Sequence, residues 1–307
     1  MAEDDPLPAR VAQAVLDRFE QLPGRGKPNP SGRDWTVLAG IVAEETRVGD
    51  LSILRVICLA TGTRCVGTSA LEAAAGRVVF DCHAEVLCRR VFNRYLLGEL
   101  SASTAGPAAA AILERYDCEE TAEPEGLRWR LRPSVRLHLY VSTLPCGECA
   151  LVPITSSDEG TLRRRCCSPE EAADVGVRDQ AGMLKDRNRT GAKPSPGMPE
   201  DPKGSGIDFH CGGVLRYKSG RSDLPASARS VSYSCSEKLC RWNHTGWQGA
   251  LLSRLIEEPI FMTSIVIGGS LFDEGFVREA LWGRGIAAAA AEDATAMADA
   301  PRPRFAR

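Results

Sequence analysis

The chain has 307 residues, 43% of them hydrophobic and 25% charged, with a formal net charge of −2. That is enough to bury a sizeable core in one large or two small domains. The near-neutral balance excludes a globally basic polyanion binder, so any RNA surface has to be local. No apolar run approaches a membrane span, and the acidic start Met1-Ala2-Glu3-Asp4-Asp5 carries no apolar targeting segment. An intracellular protein of the cytoplasm or nucleus is expected, and its twelve cysteines read as reduced thiols and metal ligands rather than a disulfide framework.

Val11, Val15, Leu16 and Phe19 recur at helical spacing and predict a helix over residues 7–22. Gly24 to Gly32 breaks it as a loop. Trp35 to Val42 and Ile53 to Ala60 are short, apolar and β-branched, as buried strands are, and Thr61-Gly62-Thr63 is expected to end the second in a tight turn. Asp81 is placed as the N-cap of an amphipathic helix from about His83 to Leu100, with Val86, Leu87, Val91, Tyr95 and Leu96 as its apolar face. Residues 102–111 form a small-residue connection. Val135 to Leu144 reads as a strand entering a second helix whose first turn carries Cys146 and Cys149. Residues 156–230 are polar and long for a structureless loop, which predicts a flexible insertion carrying a function. Tyr233 to Trp247 and Leu251 to Ile256 read as helices, and Ile260 to Gly268 as a strand. From Gly285 the Ala-rich tail has no core pattern and is expected to be disordered. Strand then helix, twice, with functional groups at both helix starts, predicts an α/β sandwich.

His83-Ala84-Glu85 and Pro145-Cys146-Gly147-Glu148-Cys149 together give H-x-E…P-C-x-x-C, the pattern of zinc-dependent nucleobase deaminases. One imidazole and two thiolates hold Zn²⁺ and leave a fourth position open to water. The metal lowers the pKa of that water, and a carboxylate two residues from the histidine is placed to shuttle its proton. Glu85 is that carboxylate. A zinc ribbon needs a second C-x-x-C, which is absent from the sequence. A thioredoxin-like redox pair fits Cys146 and Cys149 but leaves His83, Glu85 and Cys235 unexplained. Spacing alone nominates Cys146 and Cys149 as the thiolate ligands, with Cys235 readable as a buried small hydrophobe.

The segments Thr61-Gly62-Thr63-Arg64-Cys65, Cys82-His83-Ala84-Glu85-Val86, Pro145-Cys146-Gly147, Ser234-Cys235-Ser236-Glu237-Lys238, Arg241-Trp242-Asn243, Gln248-Gly249-Ala250-Leu251-Leu252 and Glu258-Pro259-Ile260 carry a wider resemblance. From Trp35 to about Gly269 the chain resembles the adenosine deaminase domain shared by the RNA-editing ADAR enzymes and the eukaryotic tRNA-specific adenosine deaminases. The resemblance implies a cytidine-deaminase-like three-layer α/β/α sandwich with a central mixed sheet, a domain over residues 1–284, and Cys235 as third zinc ligand beside His83 and Cys146. Cys149 stands where the family has a small residue. Arg189-Thr190-Gly191-Ala192-Lys193 resembles the tRNA branch, which implies hydrolytic deamination of adenosine to inosine next to the anticodon of alanine tRNA. Hydroxide would add at C6 while Glu85 takes and returns the proton. Thr63 and Arg64 would lie near the sugar and phosphate of the flipped nucleotide.

The resemblance also implies bound inositol hexakisphosphate, held by Arg89, Arg90, Lys238, Arg241 and Trp242. A polar chain through Lys238, Gln248, Lys193 and Asp81 would link it to the zinc. Two departures stand against this. Phe80 occupies a position that is polar in the family, and the lysine-rich, aromatic C-terminal segment of the family is replaced by the Ala-rich tail, as though the C-terminal part were truncated. Two other readings follow: an RNA-binding or partner subunit without activity, and an mRNA adenosine deaminase. Arg163-Arg164-Arg165 and Lys185-Asp186-Arg187-Asn188-Arg189 would serve either as RNA contacts or as solvated loops.

Overall fold

The computed structural model describes residues 6–24, 27–28, 35–46, 52–102, 112–116, 128–153, 183–186, 192–198, 201, 209–219, 225–269, 274–283 and 304–306. In chain order its elements begin with α1 (Leu7–Glu20), β1 (Leu38–Thr46), β2 (Ser52–Thr61), β3 (Thr63–Cys65), α2 (Thr68–Ala74), β4 (Asp81–His83) and α3 (Ala84–Ala102). Next come β5 (Leu113–Tyr116), β6 (Arg128–Leu131), β7 (Val135–Val141), β8 (Leu151–Pro153), β9 (Met183–Asp186), β10 (Lys193–Pro194), β11 (Phe209–Cys211) and β12 (Arg216–Tyr217). The described chain closes with α4 (Cys235–Thr245), α5 (Gly249–Leu252), β13 (Ser264–Ile267), α6 (Glu274–Arg278) and β14 (Arg304–Ala306).

The central sheet has the order β14-β13-β7-β1-β2. β7 and β2 flank β1 antiparallel, whereas β13 runs parallel to β7 and β14 parallel to β13. Both faces are covered, and β1 shows why. Leu38 and Val42 alternate with Ala39, Ile41 and Ala43; the first set packs with Val11 and Val15 of α1, the second with Cys88, Phe92 and Leu96 of α3. α4 contributes Leu239 and Trp242 to the second side. The result is the expected three-layer α/β/α arrangement with a mixed sheet. Burying a side chain such as Phe92 or Leu137 contributes about 1.5–3 kcal/mol.

Several local expectations are corrected. β1 starts three residues late because Trp35 is exposed, and it extends to Thr46. Thr61-Gly62-Thr63 is no reversal: the chain runs on into β3, which pairs with β4. Asp81 is a strand residue, not a cap. The inward ridge of α3 is Ala84, Cys88, Phe92 and Leu96, four residues apart, while Val91 points to solvent. Cys146 lies in a loop, and Cys149 in a single 3-10 turn at Glu148–Ala150 that leads straight into β8. α5 is one turn with Leu251 exposed, and β13 is confined to four residues. The connection at 103–111, much of 156–230 and residues 284–303 lie outside the described residues. What is described of 156–230 forms the short sheets β11-β9-β8 and β10-β12. The last strand, β14, brings the end of the tail onto the central sheet.

Candidate active site

Three segments converge on one point. The first is the β4–α3 junction, where His83 closes the strand and Glu85 lies in the first helical turn. Gly62 makes the junction possible. Its carbonyl accepts from Ala84 N at 2.9 Å, and a Cβ there would stand 1.9 Å from the Cys82 carbonyl oxygen. The second segment is the loop after β7, in which Pro145 and Cys146 precede Gly147 at φ +100. The third is the start of α4, where three residues of Ser234-Cys235-Ser236-Glu237-Lys238 fix the geometry around Cys235. Ser234 caps the helix by accepting from Glu237 N. Ser236 Oγ donates to the Cys146 carbonyl at 2.9 Å and accepts from Cys149 N at 3.0 Å, stitching the cysteine loop to the helix. Lys238 reaches Asp81 and Ser232.

The convergence places His83 Nδ1 3.7 Å from Cys146 Sγ and 3.6 Å from Cys235 Sγ. The ligand atoms of the three residues all lie within 4.8 Å of one another. The donor set suits a cation of the Zn²⁺ class, one imidazole with two thiols, and binding it would draw off their protons. The donors already perturb one another. Its hydrogen bond with Cys235, against the opposing effect of burial, holds the Cys146 thiol well below the usual range, whereas burial and the Cys146 charge push Cys235 up. Burial disfavours the imidazolium of His83, but hydrogen bonds with Cys146 and Cys65 outweigh it and raise its pKa to about 10. Glu85 is fully buried, with burial and then the Cys146 charge raising its pKa, and its Oε2 has no hydrogen-bond partner. Cys149 is excluded from this trio. It is fully buried, burial pushes its thiol far up, and it packs in the main core.

Asp81 is the buried hub beside this point. Its Oδ1 accepts from His83 N at 3.0 Å, and its Oδ2 accepts from Lys218 at 2.7 Å, Ser232 at 2.6 Å and Lys238. Burial alone would raise its pKa, yet the Lys218 charge and these hydrogen bonds hold it far below the carboxylate range. Lys218 therefore occupies the place expected for Lys193, which is instead a strand residue paired with Tyr217. The reasoning from sequence missed Lys218 because it sits in the long polar stretch, where a lysine in Tyr217-Lys218-Ser219 resembles any solvated cation. A second buried network holds that stretch in place: Arg216 bonds both oxygens of Asp201 at 3.0 and 2.9 Å, and His210 bonds Asp201 at 2.8 Å.

Of the other expected residues, Thr63 pairs through its backbone with His83, and Arg64 is exposed opposite Cys82. Arg89 donates to the Trp247 carbonyl at 3.0 Å and lies 4.6 Å from the centre of the Trp242 ring. Burial, then the charge of Arg241, lowers its pKa to about 10. Arg90 and Arg241 are exposed.

The profile of the adenosine-deaminase (editase) domain matches residues 58–297, a span containing all three donors and Glu85. The chain belongs to the adenosine-deaminase (editase) domain family. It is 29% identical to the Mus musculus tRNA-specific adenosine deaminase 1, over 89% of this chain and 68% of that protein. It is 32% identical to the Drosophila melanogaster protein of the same name, over 85% of this chain and 55% of the relative. A Drosophila melanogaster double-stranded RNA-specific editase is 30% identical over 87% of this chain and 34% of its own length. Among the described residues no helix of this editase domain is long and apolar enough to cross a membrane.

Proposed function

We propose that this editase domain hydrolyses adenosine to inosine in tRNA, with His83, Cys146 and Cys235 holding one Zn²⁺ and Glu85 moving the protons. The observation that carries the reading is Glu85: a fully buried carboxylate with Oε2 unpartnered, one helical step from a His–Cys–Cys trio. An unpaired buried carboxylate costs several kcal/mol and persists where function uses it. Zinc, when bound, supplies the Lewis acidity that makes water a nucleophile near neutral pH. Glu85 takes a proton from the attacking water as its oxygen bonds to C6 of adenine, then returns it to the departing amino nitrogen, so that ammonia leaves and inosine remains. Asp81, anchored by Lys218 and Lys238, fixes the strand that presents His83. Thr63 and Arg64 flank that strand and contact the sugar and phosphate of the flipped nucleotide.

The tRNA substrate is taken from the relatives named tRNA-specific adenosine deaminase 1, and the adenosine 3′ of the anticodon in alanine tRNA is the target proposed from the family resemblance. The domain spans residues 1–284, with 156–230 inserted. A second reading, deamination of duplex RNA, is favoured by the 30% identity to the double-stranded RNA-specific editase. For inositol hexakisphosphate the fit is not made. Lys238 is committed to Asp81, Arg89 to two tryptophans, and Arg90 and Arg241 face solvent.

The test is inosine formation by the recombinant chain on a tRNA pool and on duplex RNA, with Glu85→Ala as control. Inosine in tRNA from wild type alone supports the reading, and sequencing locates the position. Inosine only in duplex RNA selects the second reading, and none from zinc-loaded protein rejects both.

A further inference from the structure

We propose that Cys65 is the positioning partner of His83, its sulfur accepting a hydrogen bond from the ring nitrogen that does not face Cys146 and Cys235. The inference rests on the metal reading given above. Its starting point is that His83 belongs to two clusters of potential donors: His83, Cys146 and Cys235, and separately Cys65, Asp81 and His83, whose ligand atoms also lie within 4.8 Å of one another.

The second cluster is not a second metal site. Asp81 Oδ2 is already shared by the Lys218 and Lys238 ammonium groups and the Ser232 hydroxyl, so a cation there would have to displace two like charges from a buried carboxylate. Removing Asp81 from that cluster leaves one proximity unexplained, that of the Cys65 sulfur and a His83 ring nitrogen, which lie within 4.8 Å of one another.

Strand pairing puts it there. In the antiparallel β3–β4 ladder Thr63 opposes His83 and Cys65 opposes Asp81, so positions 63, 65, 81 and 83 share one face and Cys65 and His83 are diagonal neighbours. Nδ1 of His83 faces the thiols of Cys146 and Cys235 at 3.7 and 3.6 Å, and Cys65 is not a member of that trio. With Nδ1 turned to Cys146 and Cys235, Nε2 is the nitrogen the proposal gives to Cys65. A histidine that ligates a metal through one nitrogen almost always donates the other N–H to a fixed acceptor, which sets its tautomer and aim. Carboxylates and carbonyls usually do this; here Asp81, the nearby carboxylate, is saturated by lysines, and a half-buried thiol stands in.

The experiment measures zinc affinity of the full chain by competition with a chromophoric chelator, for wild type, Cys65→Ala, Cys65→Ser and His83→Ala. Co²⁺ spectra are recorded in parallel. Cys65→Ala is expected to weaken zinc binding about 10–100-fold. Cys65→Ser, which keeps an acceptor, should recover most of the loss, and the thiolate-to-cobalt band of Cys146 and Cys235 should keep its intensity in both. Wild-type affinity in Cys65→Ala overturns the proposal, as does a weakened thiolate band, which would make Cys65 a ligand. Should Cys65→Ala not fold, the ring ¹⁵N–¹H correlations of zinc-loaded wild type decide: a proton on Nε2 of His83 is expected, and one on Nδ1 overturns the proposal. Wild type that binds no zinc, or His83→Ala that binds it equally well, overturns the metal reading instead, and with it this one.

Discussion

Lys218 donates to Asp81 at 2.7 Å across 137 residues of chain, and so ties the polar stretch after β8 to the strand that presents His83. The tie is reinforced on the backbone: Lys218 N donates to Ser232 O at 2.7 Å and Ser234 N to Arg216 O at 2.9 Å. The segment leading to Cys235 and the strand leading to His83 therefore share one buried anchor. His83 and Cys235, 152 residues apart in the chain, keep their spacing because Asp81 holds both sides.

Replacing Lys218 with Met removes one of two cations from a buried carboxylate. Breaking a buried pair typically costs about 3–5 kcal/mol; with Lys238 and Ser232 still bonded to Asp81, a loss of about 2–4 kcal/mol in urea unfolding is expected. Lys218→Met combined with Asp81→Asn should be more stable than the two separate losses added together, because the partners act on one another.

Glu85→Gln keeps the volume of the side chain and removes its capacity to take a proton. Inosine formation should fall about 10²–10⁴-fold, while zinc content and unfolding midpoint stay at or above wild type, since the amide relieves a buried carboxylate whose Oε2 has no partner. Single-turnover assays alongside metal analysis check both halves. Loss of zinc together with activity would show Glu85 to be structural.

Much of this architecture was legible from residues alone. β2 announces itself as a short, apolar, β-branched run and α1 by four-residue spacing, and the motif singles out His83 and Cys146, which the fold brings together with Cys235. The facing of α3 is only partly legible: Leu96 is buried in the core and Val86 and Tyr95 pack against it, but Val91 and Leu97, apolar as well, are exposed. Only packing selects the ridge of small and large residues at Ala84, Cys88, Phe92 and Leu96. Spacing does not choose between Cys149 and Cys235, since a C-x-x-C pair does not reveal that, past a Gly147 turn at φ +100, Cys149 is buried outside the cluster of His83, Cys146 and Cys235. Lys218 was invisible for a different reason: a buried lysine is identified by its partner, and Asp81 is remote in the chain.

Gly147→Ala tests that turn. An added Cβ would stand 2.1 Å from Ser234 Oγ at a backbone φ of +100, so the variant meets both the cost of that conformation, about 1–2 kcal/mol, and loss of the Ser234 cap, about 1 kcal/mol. Gly76→Ala is the matched control, at φ +80 with nothing within 4 Å. Both variants should lose thermal stability, Gly147→Ala by more, and only Gly147→Ala should lower zinc affinity, because only its neighbour begins the helix that carries Cys235.

His138 sets an acid limit on stability away from the site. The ring is buried between Ser264 Oγ, 2.8 Å from Nδ1, and Glu44 Oε2, 3.2 Å from Nε2, with Arg136 3.9 Å from the same carboxylate. Burial, against the pull of Glu44 and with the help of Arg136, lowers its pKa below the ordinary 6.5. The folded state therefore keeps the ring neutral where the unfolded chain would protonate it. The contribution is fully present above about pH 6.5 and is lost as pH falls from there toward the folded-state value, at up to about 1.4 kcal/mol per pH unit. Urea unfolding between pH 7.5 and 5 should show wild type weakening more steeply than His138→Gln, whose amide still reaches Ser264 and Glu44 but cannot take the proton. Parallel slopes would mean that the imidazole is already charged in the fold and that Glu44 holds it as an ion pair.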